Sequence, residues 1–232
     1  MQSTDIQALF NRIAPVYNPL NDWLSLGQHR VWKQMTVKWS RAKQRDVCLD
    51  LCCGSGDLAR LLARQVTPAG QVFGVDFASA QLDIARQQAA QDWPSPTITW
   101  IEADVQHLPF PDHHFDAATM GYGLRNVTDR LQSLQELHRV LKPGATAAIL
   151  DFHQPTQPLM QAFQRWYLAT IVVPTAERFG LAAEYQYIGP SLDAFLSGPE
   201  QVKLAHKAGF AEATHYPIAG GTMGVLVLTK GN

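Results

Sequence analysis

A disulfide framework, a membrane-spanning run and a strong charge of either sign are all missing from this 232-residue sequence. Each absence closes a class of function. Its cysteines, Cys48, Cys52 and Cys53, fall within one short stretch. An odd number with two adjacent is a poor disulfide framework, and no second ligand cluster supports a zinc site. The expectation is a reducing, cytoplasmic location, no metal, and cysteines that serve as small apolar filler. The longest apolar stretch, "WYLATIVVP" (166–174), is far short of the ~20 residues that span a bilayer. A formal net charge of −1 exerts no general pull on nucleic acid. The start, "MQSTDIQALFNRIAP", lacks the basic and apolar regions of a secretory leader.

What is present suits one α/β domain with a helical appendage. From about residue 46 strands and helices alternate. "DVCLDLC", "QVFGVDF", "TITWIEAD", "DAATMGYGL" and "ATAAILDF" read as strands, separated by the helical "GDLARLLARQV", "SAQLDIARQQAAQ" and "DRLQSLQELHRVL". Such alternation predicts a doubly wound parallel sheet. "KPG" (142–144) is expected to close the last of these helices. A helical insertion over about 155–195 follows, containing the aromatic loop "AEYQYIGPSLDAF", then a helix "GPEQVKLAHKAGF". "ATHYPI" and "TMGVLVLTK", separated by "AGG", predict a C-terminal antiparallel hairpin. Residues 1–45 read as a helical cap or lid and 46–232 as the main domain. Six Lys or Arg lie between Arg30 and Arg45 with no acid. They form either a solvated face or a basic, Trp-bearing contact with a membrane surface.

The chemistry begins at "LDLCCGSGD" (49–57), a strand that breaks into a glycine turn before a helix. Gly54-x-Gly56-x-x-Ala59 with Asp76 twenty positions on fits a nucleoside-binding fingerprint. A pyrophosphate wants bare amides at the helix start. Here Asp57 would occupy those amides itself, and Asp50 lies at the strand end. Two carboxylates repel a pyrophosphate and suit a cation. S-adenosyl-L-methionine is such a cofactor, with a sulfonium, an ammonium and a ribose. On that reading Asp50 lies near the ammonium, and the Gly54–Gly56 turn closes on the methionine end, which only small side chains permit. Asp76, with Phe77 beside it, takes the ribose hydroxyls. Asp104, with the Val105 amide, takes the adenine amino group. These positions fall at successive strand ends, where open α/β sheets bind ligands.

Four blocks carry a family resemblance over residues 8–230: "FNRIAPVYNPLNDWLSLGQHRVWK", "LDLCCGSGD", "LPFPDHHFDAATMGYGLRNVTD" and "ELHRVLKPGATAAILDF". The sequence resembles the ubiquinone/menaquinone-biosynthesis C-methyltransferases, and its ending looks most like their phylloquinone branch. The resemblance implies a class I S-adenosylmethionine-dependent methyltransferase (Rossmann-like) fold, with cofactor contacts at Ser55, Asp76, Asp104, Val105 and Gly121. It implies methyl transfer to a ring carbon of a prenylated or phytylated demethyl-naphthoquinol, a lipophilic substrate met by transient contact with a membrane surface. Asn18, Leu20, Ala145, Asp151 and His153 depart from the family's usual residues and touch substrate-side details.

Carbon attacks only when the ring is electron-rich, so the reduced quinol is the expected substrate. "GYGLRNV" (121–127) is the expected catalytic segment. Arg125, always protonated, would stabilise the naphtholate or polarise a water, or else pair structurally with an acid. Asn126 would orient that water or a substrate oxygen, or else cap the next helix. Tyr122 and Tyr17 are placed against the ring or cofactor. Tyr17, Asn21 and His153 form the expected substrate-side set, with His153 a candidate base. His107, His113 and His114 are expected at the surface. "PLMQAFQRWYLATIVVP" (158–174) could supply a slot for the tail, or simply pack. Two rival functions stay open: a nicotinamide-dependent oxidoreductase and a non-catalytic quinone-binding assembly factor. Oligomeric state is left open.

Overall fold

Five short strands, each followed by a helical or looped crossover, set the parallel part of one sheet. The computed structural model describes residues 11–12, 25, 27–67, 69–92, 97–178, 181, 186 and 188–232. Its strands are β1 (Val47–Leu51), β2 (Gln71–Asp76), β3 (Ile98–Glu102), β4 (Phe115–Gly121), β5 (Leu141–Phe152), β6 (Glu212–Ile218) and β7 (Met223–Thr229). They lie in the order β3-β2-β1-β4-β5-β7-β6. β1 to β5 run parallel, and β7 is inserted antiparallel to both β5 and β6. The predicted doubly wound sheet with a C-terminal hairpin is therefore observed. Strands β1 and β4 are almost wholly buried, as the apolar runs of a sheet covered on both faces require.

Among the described residues, α1 (Gln28–Trp39) precedes β1, and α2 (Asp57–Val66), α3 (Ser79–Gln91) and α4 (Arg130–Val140) make the crossovers. Leu58, Leu62 and Val66 of α2 pack with Cys48, Val72 and Ala117 on one sheet face. Leu134, Leu137 and Val140 of α4 join Leu49, Leu51 and Phe115 on the other. Trp32 and Trp39 of α1 lie against Ala148, Leu150, Met223 and Val225, so α1 covers the β5–β7 end of the sheet. After β5 come α5 (Pro158–Tyr167), a π-type turn (Leu168–Val172), α6 (Val173–Glu177), α7 (Ile188–Asp193) and α8 (Gly198–Lys207).

Two expectations are corrected here. Lys142-Pro143-Gly144 does not stand between helix and strand. It lies inside β5, where pairing jumps from Phe115↔Leu141 to Ala117↔Thr146, and Gly144 at φ 73 absorbs the irregularity. The carbonyls at the end of α4 are met instead by Lys230, whose Nζ lies 2.7 Å from His138 O and 2.9 Å from Leu141 O, a cation at a helix C-terminus. Part of the expected aromatic loop forms the short α7. No helix among the described residues is long and apolar enough to cross a membrane.

Candidate functional site

A cleft of about 910 Å³ opens where β1, β2 and β4 end, the edge where parallel sheets place their ligands. Eleven residues expected from the sequence line it: Asp50, Gly54, Ser55, Asp76, Phe77, Asp104, Val105, Gly121, Tyr122, Asn126 and also Asp57. Gly56, Arg125 and His153 do not. Tyr17 and Asn21, with Asn18 and Leu20, lie outside the described residues.

Asp50 is completely buried, opposite Thr119 in the β1–β4 register. The Thr119 hydroxyl donates to its Oδ1 at 2.7 Å, while Oδ2 has no partner. Burial pushes its carboxyl up to about 7; the Thr119 bond, the Ala59 amide and Lys33 oppose the shift, and Asp76 adds to it. A buried, unanswered carboxylate oxygen in a ligand-sized cleft is a seat for a cationic donor.

Asp76 does more than wait for a ligand. The Gly54 amide donates to its Oδ2 at 2.8 Å and the Ala78 amide to its Oδ1 at 2.9 Å, so it braces the glycine turn. Burial raises its pKa to about 6 against those bonds. A further contact from the Phe77 amide also opposes the shift, and the carboxylate, with about four acceptor sites, keeps capacity for a hydroxyl. Asp104 is held by Gln106, whose backbone amide donates at 2.9 Å and whose Nε2 donates at 3.1 Å. The Gln106 Oε1 in turn accepts from Thr128 Oγ1 and the Asp129 amide. Gln106 thus latches two walls of the cleft together, a role no local sequence signal announced.

Asp57 corrects the sequence reading. It does not cap its helix; no side chain caps α2. Its Oδ2 accepts instead from the buried Lys33 of α1 at 2.6 Å. One of the two carboxylates used to infer a cation is thus already neutralised, and the inference rests on Asp50. Lys33 is equally a correction to the basic stretch, since it is neither on a solvated face nor available to lipid.

The two turn glycines have different reasons. Gly54, at φ 51, has, among the described residues, only Gln81 Oε1 within 4 Å of where a Cβ would stand, so it faces open space in the cleft. Gly56, at φ 85, would place a Cβ 2.6 Å from the Trp100 ring and 3.1 Å from Ala85. Its smallness serves packing rather than cofactor approach. Cys52, at φ 49, fits over Gly123, where a Cβ would come within 2.7 Å of its sulfur. All three cysteines are free, and burial pushes their thiols up, which agrees with inert filler.

The loop after β4 holds Tyr122 at φ 60 between two glycines. Asn126 Nδ2 donates to Tyr122 O at 3.1 Å, leaving the buried Oδ1 without a partner on the cleft wall. It does not cap α4; Asp129 does, accepting from the Gln132 amide. Arg125 is turned away from the cleft. Its NH1 pairs with Asp151, Nε donates to Ser191 Oγ at 3.0 Å, and its guanidinium lies 4.9 Å from the Phe152 ring centroid. The structural pairing left open for Arg125 is the one observed. His153 is likewise not brought to the cleft. Its Nε2 accepts from the Gly198 amide and its Nδ1 lies 3.3 Å from Gly221 O, so neither nitrogen is free to take a proton. His107 and His113 are exposed as expected, while His114 packs edge-on to Phe115. Residues 158–174 contribute nothing to the cleft wall.

The residues present fit S-adenosylmethionine. Asp50 offers a lone buried acceptor, Gly54 leaves room, and Asp76 and Asp104 keep acceptor capacity. Comparison with known proteins gives the family. The model of the ubiE/COQ5 methyltransferase family matches residues 1–230. A 2-phytyl-1,4-naphtoquinone methyltransferase of Nostoc sp. is 64% identical over 225 residues, covering 97% of this chain and 98% of the relative. The chloroplastic 2-phytyl-1,4-beta-naphthoquinone methyltransferase of Arabidopsis thaliana is 53% identical over 230 residues, covering 98% and 88%. Among solved structures, a SAM dependent methyltransferase from Aquifex aeolicus superposes with TM-score 0.64 at 18% identity, covering 85% of this chain and 88% of that one. A chain in the complex of the Haloferax volcanii Trm112 methyltransferase activator with a methyltransferase gives 0.68 at 18%, covering 96% and 98%.

Proposed function

From the premise that this chain belongs to the ubiE/COQ5 methyltransferase family, we propose that it methylates a ring carbon of a reduced, phytyl-bearing naphthoquinone in phylloquinone synthesis. It is a methyltransferase with the class I fold. The observation that carries the reading is the cleft wall, where the open oxygen of Asp50 and the open oxygen of Asn126 line one space. The named relatives supply the substrate class.

S-adenosylmethionine, when bound, supplies a methyl group on a positively charged sulfur. Asp50 receives its ammonium, Asp76 its ribose and Asp104 its adenine amino group. The quinone ring is an electrophile and cannot attack. The quinol can, once an O–H proton leaves and charge spreads to the neighbouring carbon. Asn126 accepts that hydroxyl through Oδ1, whose amide plane the Nδ2 bond to Tyr122 O fixes. This orients the ring and holds the oxygen from which the proton departs. The methyl replaces a ring hydrogen, which leaves as a proton while the ring oxygen takes one back, so each transfer releases one proton overall. Tyr122 walls the ring. Lys33, on the cleft wall, stays paired with Asp57 and ties α1 to the start of α2. Arg125 acts as a positioning residue, fixing the loop through Asp151 and Ser191. α1 is the described part of the expected cap, and its Lys33 reaches the cleft. A phytyl chain keeps such a substrate in a bilayer, so peripheral contact with a membrane surface belongs to this reading.

The test uses purified protein, methyl-labelled S-adenosylmethionine and 2-phytyl-1,4-naphthoquinone, with and without a chemical reductant. Label should enter the quinone only with the reductant. Intact binding of S-adenosylhomocysteine with no transfer to any reduced naphthoquinone would overturn the substrate assignment.

A further inference from the structure

Helix α5 buries none of its ten residues, although it belongs to one of the most apolar stretches of the chain. Its glutamines take the inner side. Gln164 Nε2 donates to His153 O at 3.0 Å, and Gln161 Nε2 donates to Pro155 O at 2.7 Å. Its large apolar side chains face out: Leu159 is 80% exposed, Phe163 49% and Trp166 54%. Spaced i, i+4 and i+7, they share one face, and the Phe163 and Trp166 rings meet at 5.9 Å. Singly exposed apolar residues are ordinary; three on one face of an otherwise anchored helix are not.

Charge and position argue for what covers this face. No Asp or Glu occurs between Asp151 and Glu177, while Arg165 stands exposed on the flank of the helix, roughly 120° round from the centre of that face, from where a long side chain reaches toward the headgroups. An aromatic face with a cation and no acid matches the boundary between anionic headgroups and acyl chains. The helix also follows directly from the end of β5, on the edge where the cleft opens. Phe152 at that end packs 5.5 Å from Tyr122 of the cleft wall. We propose that α5 is a membrane-docking element whose Leu159, Phe163 and Trp166 enter the acyl boundary of an anionic bilayer, Arg165 meeting its phosphates, so that the cleft mouth faces the lipid from which substrate is taken. The proposal deepens the substrate reading above and rests on it for its purpose, whereas the contact itself is measurable without any quinone.

The experiment is co-sedimentation of the whole protein with sucrose-loaded phosphatidylcholine vesicles, with and without phosphatidylglycerol, comparing wild type with L159S/F163S/W166S and R165Q. Wild type should sediment, more strongly with phosphatidylglycerol. The triple variant should partition at least about tenfold less, and R165Q should lose the anionic preference. The triple variant should keep its thermal midpoint and its turnover on a short-chain naphthoquinol in solution, and lose turnover on the phytyl substrate embedded in vesicles. Equal sedimentation of wild type and triple variant would overturn the proposal. So would a concentration-dependent dimer, abolished by the triple substitution, in a protein that ignores vesicles, since the face would then meet a second copy. If no naphthoquinol is methylated in any form, the substrate reading fails while the vesicle result still decides the docking face.

Discussion

Replacing Asp50 with Asn removes a charge and keeps the shape. The carboxyl is fully buried, bonded on one oxygen to Thr119, and raised to about 7 mainly by burial. Above that pH it is ionised and can meet an ammonium; below it the oxygen is protonated and the attraction is lost. One unit below the midpoint roughly a tenth of the molecules carry the charge, so S-adenosylhomocysteine should bind about tenfold more weakly at pH 6 than at pH 8, or about 1.4 kcal/mol. Titration calorimetry from pH 6 to 8 measures this directly. D50N should bind about 10- to 100-fold more weakly at pH 8, the range expected for losing a charged hydrogen bond of about 1.5–3 kcal/mol, and its affinity should change by only about twofold across the window, the part left to Asp76 at about 6. Stability carries the opposite sign. A folded-state pKa above the unfolded value gives stability that is complete below about pH 4 and lost as pH rises through 7, up to about 4 kcal/mol. D50N should therefore lack that decline in urea titrations of the ligand-free protein. A wild-type affinity independent of pH between 6 and 8, or a D50N variant with the same slope, would refute the argument.

Asn126→Ala removes the open acceptor and should lower kcat by about a hundredfold while leaving the affinity for S-adenosylhomocysteine unchanged in calorimetry. Arg125→Met strands the buried Asp151 and should cost about 3–5 kcal/mol of stability. The double substitution with Asp151→Asn should recover part of it, and a cycle of four urea titrations reads the coupling. Gly56→Ala forces a side chain against Trp100 at φ 85 and should lower stability by more than about 1–2 kcal/mol. Gly54→Ala, at φ 51 in open space, should unfold closer to wild type yet bind S-adenosylhomocysteine more weakly.

The architecture was legible because period and punctuation are local. Alternating strands and helices, and a glycine turn between two apolar strands, are written within a few residues of where they act. The acids at strand ends were legible for the same reason: Asp50, Asp76 and Asp104 all reach the cleft. What the sequence hid was partner choice. Asp57 could have taken its own helix amides, but Lys33, 24 positions earlier, arrives from α1. Arg125 beside the cleft read as catalytic until Asp151 and Ser191, 26 and 66 positions away, took its guanidinium. His153 likewise lost its availability to backbone groups of Gly198 and Gly221. Gln106 gave no signal at all, since one amide side chain spanning two loops follows from their approach in space.

Asp76 both braces the glycine turn and faces the cleft. Whatever bonds to that carboxylate therefore leans on the same strut that holds the Gly54 amide. Occupancy of the cleft and rigidity of the turn become one thermodynamic quantity, because a ligand that favours ionised Asp76 also favours the closed amide. The Gly54 N–H is thus a built-in reporter: its protection from solvent exchange, relative to an unstructured amide at the same pH, rises when the cleft is filled and falls as acid protonates the strut.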